Sequence, residues 1–396
     1  MKTITDLSSQ RVASIDIFRA LTMLLMIFVN DFWTLIDVPK WLVHARRSED
    51  MLGFADIVFP CFLFAVGLSI PFAIETRMAK GDSWYKIAFH ILLRSFSLLF
   101  IGFILANATS RHHADAIISR PIFILLTLVG VFLVWNIYPR STDWKKYLFI
   151  GLQIIGVALL CYLLVTYRDR RGGFMSIHSW SILYLIGWTY FLCAFTYFFA
   201  RRRLYVHYIA LLFLMLLSIA GANRWLGFAD GIIISNGGLH VFTMAGVIVS
   251  LLLTQYGSTS IRLKKLLAII AVAGAVFILA GFVARNFWII SKLRYTPTWV
   301  LFCTGISMIL YAFIYWLTEL NGKENWFKII KPAGTATLTC YLFVYYVYAV
   351  YDIWPHISMP DIIRTHPVGL IKSFAFALLM IGCTWLLGKM HIKLKI

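Results

Sequence analysis

The sequence predicts an all-α protein that crosses a lipid bilayer about twelve times, and three observations support this fold class. The 396 residues are 61% hydrophobic and only 13% charged, whereas soluble domains average about half apolar and a quarter charged residues. The mean hydropathy is +0.82. Apolar runs long enough to span a hydrocarbon core of about 30 Å recur along the whole chain, without the alternation of a membrane β-barrel. The chain therefore needs lipid as its solvent.

Polar turns separate these apolar runs and divide the chain into twelve predicted helices. Helices are the expected spanning structure, because they satisfy every backbone hydrogen bond inside a bilayer. No stretch is left for a separate soluble domain, so we expect a single transmembrane domain over residues 1–396. The predicted helices cover roughly residues 17–36, 56–74, 87–106, 121–138, 147–166, 181–200, 204–221, 238–255, 266–284, 298–318, 335–353 and 370–388.

Positive charges in the short loops predict the orientation of the helices. With the N-terminus inside, more than half of the 36 Lys and Arg residues fall on the cytoplasmic side, and Lys389, Lys393 and Lys395 crowd the end of the chain. We therefore expect both termini to be cytoplasmic. The formal charge of +19 is spread through loops between spans, so we expect no nucleic-acid partner. The outer loops still carry many cations, and an anionic glycan is one hypothesis for what they attract.

The cysteines and histidines predict no metal site. All six cysteines lie inside apolar runs without a CxxC spacing, which is typical of buried thiols that pack as small hydrophobic groups. No pair of histidines has a metal-ligand spacing such as HExxH.

Three ionisable residues at the cytoplasmic ends of predicted spans are candidates for binding an anion. Asp16 and Arg19 open the first helix three residues apart, on one face. Arg94 lies inside the third span, where an unpaired charge costs several kcal/mol, so it must face protein, water or an anion. Two alternatives stay open. Asp16 and Arg19 are also typical of an ion pair at a helix end, and Arg94 is also typical of a buried structural pair with a carboxylate such as Asp16.

Polar residues at the outer ends of the first two helices are candidates for catalysis. Asn30 ends the first predicted helix, His44 lies in the next loop, and Asp56 begins the second helix just before Phe59-Pro60. A histidine beside a carboxylate is a common arrangement for general-base catalysis, because the carboxylate fixes the tautomer of the ring. A single loop histidine is otherwise usually a solvated residue.

Two sequence blocks resemble a known family. The first contains Arg11-Val-Ala-Ser-Ile-Asp16-Ile-Phe18-Arg19, then Ile27-Phe-Val-Asn30, then His44, and then Asp56-Ile-Val-Phe59-Pro60. The second, looser block runs from Asn286 to Trp299 and continues with Lys331-Pro332-Ala333-Gly334-Thr335. Both blocks resemble the heparan-α-glucosaminide N-acetyltransferase family and its bacterial relatives.

The resemblance implies a transmembrane acyltransferase of the bacterial inner (cytoplasmic) membrane. Such an enzyme takes acetyl-CoA as its donor substrate from the cytoplasm and delivers the acetyl group to an amino sugar or glycan on the other side. Residues 139–180 look like an additional helix pair relative to the animal enzyme. The acceptor, the choice between N- and O-acetylation, and a monomeric or homodimeric state are left open.

The resemblance also assigns roles to individual residues. His44 matches the active-site histidine, Asn30 the asparagine near it, and Asp56 the aspartate of a D-x-V-F-P motif. His44 would deprotonate the attacking amine or accept the acetyl group itself, with Asn30 at the oxyanion and Asp56 orienting the imidazole. The donor phosphates would bind at the cytoplasmic mouth, for which the candidates are Asp16, Arg19 and Arg94.

Two rival functions fit the composition. A transporter or exporter of a small anionic or sugar substrate also has about twelve spans and intramembrane charges, although no repeated halves are evident here. An acyltransferase that modifies hydroxyl groups of envelope glycans is the second rival.

Overall fold

The structure is a computed structural model that describes residues 13–110, 112–113, 116–139, 142–177, 181–225, 237–257, 259–353 and 359–396. Arg11 and Val12 of the first sequence block lie outside the described residues. The described residues form α-helices joined by short turns and loops, with only isolated β-bridges. The predicted all-α fold of a polytopic membrane protein is confirmed.

All twelve predicted helices are present, and a five-residue helix, α11, precedes the eleventh of them. Ten helices of the described residues are long and apolar enough to cross a membrane, while α4 and α12 are shorter, with 16 and 17 residues. The helices are α1 Ala13–Asn30, α2 Phe54–Ala79, α3 Trp84–Ser110, α4 Arg120–Trp135, α5 Trp144–Thr166, α6 Ile182–Ala200, α7 Leu204–Ala222, α8 Gly238–Tyr256, α9 Ser260–Ala284, α10 Pro297–Tyr315, α11 Lys331–Thr335, α12 Thr337–Ile353 and α13 Val368–Lys389.

The described part of residues 139–180 contains one helix, and the additional helix pair relative to the animal enzyme stays a prediction. That helix, α5, packs against α4, which precedes the range. After Thr166 the chain is extended at Tyr167 and then turns between Asp169 and Gly172. Gly172 has a positive φ of 78°, which favours glycine in this turn.

Helices α1, α2 and α8 form the centre of the molecule. In an 18-residue apolar stretch of these three helices, 67%, 72% and 83% of the residues are buried. In the corresponding stretches of α5 and α7 only 17% are buried, so most of the surface of these two helices is left to face lipid. Glycines bring α2 and α8 close together, because a Cβ on Gly67 would collide with the carbonyl oxygen of Thr243, and one on Gly246 with that of Phe64. Small residues allow this close approach between helices in a membrane.

The start of α1 and the end of the chain lie at the same end of the helix bundle, which we call the inner end. Asp16 and residues 394–396 line one cavity there. Leu394 also forms an antiparallel bridge with Asn136, just after α4. The opposite end, where α1 ends and α2 begins, is called the outer end. This arrangement fits an even number of crossings.

Candidate active site

A histidine and a buried carboxylate meet at the outer end. Asp56 lies in the first turn of α2, and its Oδ1 is 2.7 Å from Nδ1 of His44 in the preceding loop. The Asp56 side chain is 1% exposed, whereas the His44 side chain is 46% exposed. Oδ2 of Asp56 accepts hydrogen bonds from the backbone N–H groups of Ala45 and Gly53, at 3.0 and 3.3 Å. The carboxylate therefore fixes both the imidazole and the loop that carries it.

The short contact with Asp56 favours one tautomer of His44. An ionised carboxylate only accepts hydrogen bonds, so the tautomer with a proton on Nδ1 is the one that can donate to Asp56. Nε2 then has its lone pair available, and among the described residues it has no hydrogen-bond partner. A neutral imidazole held in this way is suited to accept a proton or an acyl group.

A lysine from a distant loop completes this group. Nζ of Lys292, between α9 and α10, lies 3.2 Å from Nδ1 of His44 and 3.8 Å from Oδ1 of Asp56. Burial lowers the pKa of Lys292, and the negative charge of Asp56 acts in the opposite direction. The sequence did not single out Lys292, although it lies inside the looser block from Asn286 to Trp299.

Asp50 ties the loop of Lys292 to the loop of His44. Oδ1 of Asp50 accepts the backbone N–H of Ile290 at 2.8 Å, and Oδ2 accepts Nε of Arg285 at 3.0 Å. The hydrogen bond from Ile290, together with the bond and charge of Arg285, lowers the pKa of Asp50. The two loops that supply His44 and Lys292 are thus joined by a charged bridge near the surface.

Asn30 lies at the end of α1, partly buried, and no hydrogen bond joins its side chain to His44 or Asp56 in the described part of the chain. The next residue, Asp31, belongs to another buried polar cluster. Its Oδ2 binds Nζ of Lys372 and Oγ of Ser373, both at 2.7 Å, and its Oδ1 accepts the hydroxyl of Tyr348 at 2.9 Å. This cluster joins the end of α1 to α12 and α13. The Asn30 side chain takes no part in it.

A cavity of about 1000 Å³ opens at the inner end, where the exposed Ala79 and Lys80 line it. Cationic side chains outnumber carboxylates along its wall. The lining cations are Arg19, Arg77, Lys80, Arg94 and Lys395, and the lining carboxylates are Asp16 and Asp82. The three predicted donor-binding residues, Asp16, Arg19 and Arg94, are therefore brought together in one cavity.

Arg19 has a structural role as well as a place in the cavity. It forms the expected ion pair with Asp16, at 3.7 Å. Its guanidinium also donates to the carbonyl oxygen of Gly334 at 3.1 Å and to the hydroxyl of Ser69. These bonds join α1 to α2 and α11 and fix the direction of the guanidinium.

Arg94 is not paired with a carboxylate among the described residues. Its guanidinium lies over the ring of Tyr190 of α6, with Cζ 4.6 Å from the ring centroid. Its side chain is partly buried and lines the cavity. The structural pair with Asp16 that the sequence left open is not formed, because Asp16 pairs with Arg19.

The buried end of the cavity approaches the outer group of residues. Met23 and Met26 of α1 and Phe62 of α2 line it there. At 1.5 Å per residue, Met26 lies about 6 Å along α1 from Asn30, and Phe62 about 9 Å along α2 from Asp56. A cation-rich mouth and the histidine–aspartate pair therefore lie at opposite ends of the same two helices. Within the described residues, no group of three His, Cys, Asp or Glu residues could hold a metal ion.

Comparison with known proteins finds similarity in the N-terminal part of this chain. The model of the family described as heparan-alpha-glucosaminide N-acetyltransferase, catalytic, matches residues 11–123. The similarity to that family is limited to these residues of the chain. The heparan-alpha-glucosaminide N-acetyltransferase of Mus musculus is 36% identical over 100 residues, and that of Homo sapiens is 36% identical over 97 residues. These alignments cover 25% and 24% of this chain, and 14% of the length of each mammalian enzyme.

The match contains every site residue that the sequence predicted. Asp16, Arg19, Asn30, His44, Asp56 and Arg94 all fall within residues 11–123. Lys292 and the second sequence block fall outside the matched residues.

Proposed function

We propose that this protein is a transmembrane acetyltransferase of the bacterial inner membrane. It takes the acetyl group of acetyl-CoA at the inner end and transfers it to an amino sugar or glycan at the outer end. The observation that carries the proposal is the alignment of two features along α1 and α2. A cation-lined cavity at the inner end extends towards a histidine–aspartate pair at the outer end, within the residues related to an acetyltransferase family.

The inner cavity suits the donor because coenzyme A combines several phosphate charges with a narrow neutral arm. Arg94 lacks a carboxylate partner in the described part of the chain, so it presents an uncompensated charge to a phosphate. Arg19 is held in place by Asp16 and adds a second guanidinium on the same wall. The neutral arm would lie along Met23, Met26 and Phe62, with the thioester towards the outer end.

His44 then acts as the base at the acetyl group. As the acceptor amine attacks the thioester carbonyl, a carbon–nitrogen bond forms and the carbon–sulfur bond breaks. The amine proton passes to Nε2 of His44, and coenzyme A leaves as a thiolate that takes up a proton. Asp56 stabilises the imidazolium that forms, and Asn30 donates a hydrogen bond to the oxyanion.

Transfer through an acetyl group on Nε2 of His44 uses the same available nitrogen. The two routes differ in one observable. With labelled acetyl-CoA and no acceptor, the two-step route leaves label on the protein, and direct transfer leaves none.

The test uses the purified full-length protein in lipid nanodiscs, with labelled acetyl-CoA and a panel of amino sugars and sugars without an amine. We expect repeated turnover, with release of more than one equivalent of free coenzyme A per protein, only when an amino sugar is present. Acceptance of sugars without an amine would favour the hydroxyl-modifying acyltransferase. A transporter of small anions or sugars would release no coenzyme A with any member of the panel.

The sidedness of the reaction is tested in proteoliposomes that keep donor and acceptor on different sides. We expect product when acetyl-CoA faces the inner end and the amino sugar faces the outer end. Product only when both substrates share one side would contradict transfer across the membrane.

A further inference from the structure

We propose that Lys292 is a positioning residue that balances the charge of Asp56 and so keeps the His44 imidazole neutral near neutral pH. The consequence for catalysis rests on the proposed function, because it matters only if His44 acts as a base or acyl acceptor. The contact between these side chains is independent of that function.

The side chains of His44, Asp56 and Lys292 lie within 4 Å of one another. Nδ1 of His44 and Nζ of Lys292 approach the same oxygen of Asp56, at 2.7 and 3.8 Å, and are 3.2 Å from each other. A protonated imidazole would therefore place two positive charges in contact beside one negative charge. Like charges at this distance disfavour the second protonation.

The longer distance to Asp56 shows how Lys292 acts. At 3.8 Å its Nζ is beyond ordinary hydrogen-bond length from Oδ1, and at 3.2 Å it is within hydrogen-bond distance of Nδ1 of His44. His44 holds the short bond to Asp56. Lys292 thus supplies charge without displacing the imidazole from the carboxylate. A histidine–aspartate pair without this lysine would favour the imidazolium, which has no lone pair on Nε2 to accept a proton.

Other charged or titratable groups surround the site without reproducing this contact. Arg46 and Glu49 are hydrogen-bonded to each other through the Arg46 backbone, in the loop of His44. Asp50 is paired with Arg285. From α10, Cys303 faces the carbonyl oxygen of Asp56 at 3.9 Å and lies near Lys292.

The pKa of His44 can be measured without any assay of activity. Diethyl pyrocarbonate modifies neutral imidazole, and peptide mass spectrometry gives the extent of modification at His44 as a function of pH. We compare the wild-type full chain with Lys292→Met and Lys292→Arg. Lys40→Met serves as the matched control, because Lys40 is a cation of the same outer surface that is paired with Glu49 instead of Asp56.

Lys292→Met should move the midpoint of modification about one pH unit upwards, because the imidazolium loses its positive neighbour and keeps Asp56. Lys292→Arg keeps the charge and should keep the midpoint, as should Lys40→Met. The acid limb of kcat/KM should move upwards with the midpoint in Lys292→Met. Lys292→Gln gives a second neutral variant if Lys292→Met does not fold, as judged by size-exclusion chromatography.

Each other result overturns the proposal in a distinct way. An unchanged midpoint in both neutral variants means that Lys292 does not set the charge of His44. Loss of activity in Lys292→Arg with an unchanged midpoint means that Lys292 itself exchanges a proton with the substrate and does not act through His44. If His44→Ala keeps full turnover, the proposed chemistry fails, while the modification midpoint still decides the relation between Lys292 and His44.

Discussion

Oδ2 of Asp56 accepts a hydrogen bond from the backbone N–H of Ala45, at 3.0 Å. Ala45 directly follows His44, so the same carboxylate that binds the imidazole also holds the backbone beside it. The exposed loop of His44 is thereby fixed to the first turn of α2, and the loop cannot move away without breaking two hydrogen bonds to one buried carboxylate. The position of His44 depends on Asp56 more than on the surface around it.

Asp56→Asn is expected to lower both turnover and stability. The amide has only one accepting oxygen and cannot serve the N–H groups of His44, Ala45 and Gly53 together. A buried group left unsatisfied costs about 1–3 kcal/mol, which is measurable as a lower unfolding temperature. Asp361→Asn, which alters a side chain that is 81% exposed, is the control. Unchanged kcat in folded Asp56→Asn would show that the imidazole needs no carboxylate.

His44→Ala is expected to abolish acetyl transfer and to leave donor binding intact. A positioned base contributes about 10²- to 10⁴-fold to proton transfer, and His44 does not line the donor cavity. The side chain is 46% exposed, so little stability should be lost. Turnover and coenzyme A binding are measured on the same preparation. Near wild-type turnover on a verified acceptor would remove His44 from the mechanism.

Arg94→Ala is expected to weaken binding of coenzyme A by about 10- to 100-fold, as for loss of one charged hydrogen bond of roughly 1.5–3 kcal/mol. The loss should shrink for a donor analogue that lacks the nucleotide phosphates. Lys265→Ala, an exposed cation in the first turns of α9 that does not line the cavity, is the control. Equal losses for both donors would assign Arg94 a structural role through its contact with Tyr190.

The bridge between the two outer loops is expected to weaken in acid. The folded-state pKa of Asp50 is lowered, so its contribution is complete above its unfolded pKa of about 4 and is lost as the pH falls through the folded value. The protection factor of the Ile290 amide against hydrogen exchange, relative to its intrinsic rate at the same pH, should therefore fall below about pH 4. Asp50→Asn should give fast exchange at neutral pH as well. Slow exchange in that variant would mean that other contacts hold the loop.

Reporter fusions test the orientation of the bundle. The start of α1 and residues 394–396 line the same cavity, so a fusion after Ile396 should lie on the same side as a fusion before α1. From the positive charges of the inner loops we predict that this side is cytoplasmic. A C-terminal reporter that is active only outside would contradict the even number of crossings.

Site residues could be predicted from the sequence where they lie close together in the chain as well as in space. His44 and Asp56 are twelve positions apart and flank one loop, so their motif was enough to single out both residues. The position of Asp16 and Arg19, one turn apart on α1, likewise predicted their ion pair. The helix bounds were less accurate. The second helix continues to Ala79 beyond the predicted end near residue 74, because its last turns carry polar residues that lie at the cavity mouth.

Contacts between residues that are far apart in the chain could not be predicted from the sequence. Lys292 reaches His44 across 248 positions, and no periodicity or local motif encodes that approach. The tyrosine beneath Arg94 comes from α6, so an inward-facing arginine was predictable and its partner was not. Such contacts depend on which helices pack together, and a single sequence of uniformly apolar helices specifies this only weakly.

The cavity is lined by residues from both ends of the chain, so a truncated protein would not form it. Residues 11–123, which carry the family match, supply Arg19 and Arg94, but α6, the start of α12 and residues 394–396 close the same cavity. Gly334 of α11 packs directly on the backbone of Asp16, where a Cβ would collide with its carbonyl oxygen. A fragment ending near residue 123 would keep the signature and lose the walls. It would expose faces of α1 and α2 that are buried in the whole chain, and it would be prone to aggregate instead of binding a donor.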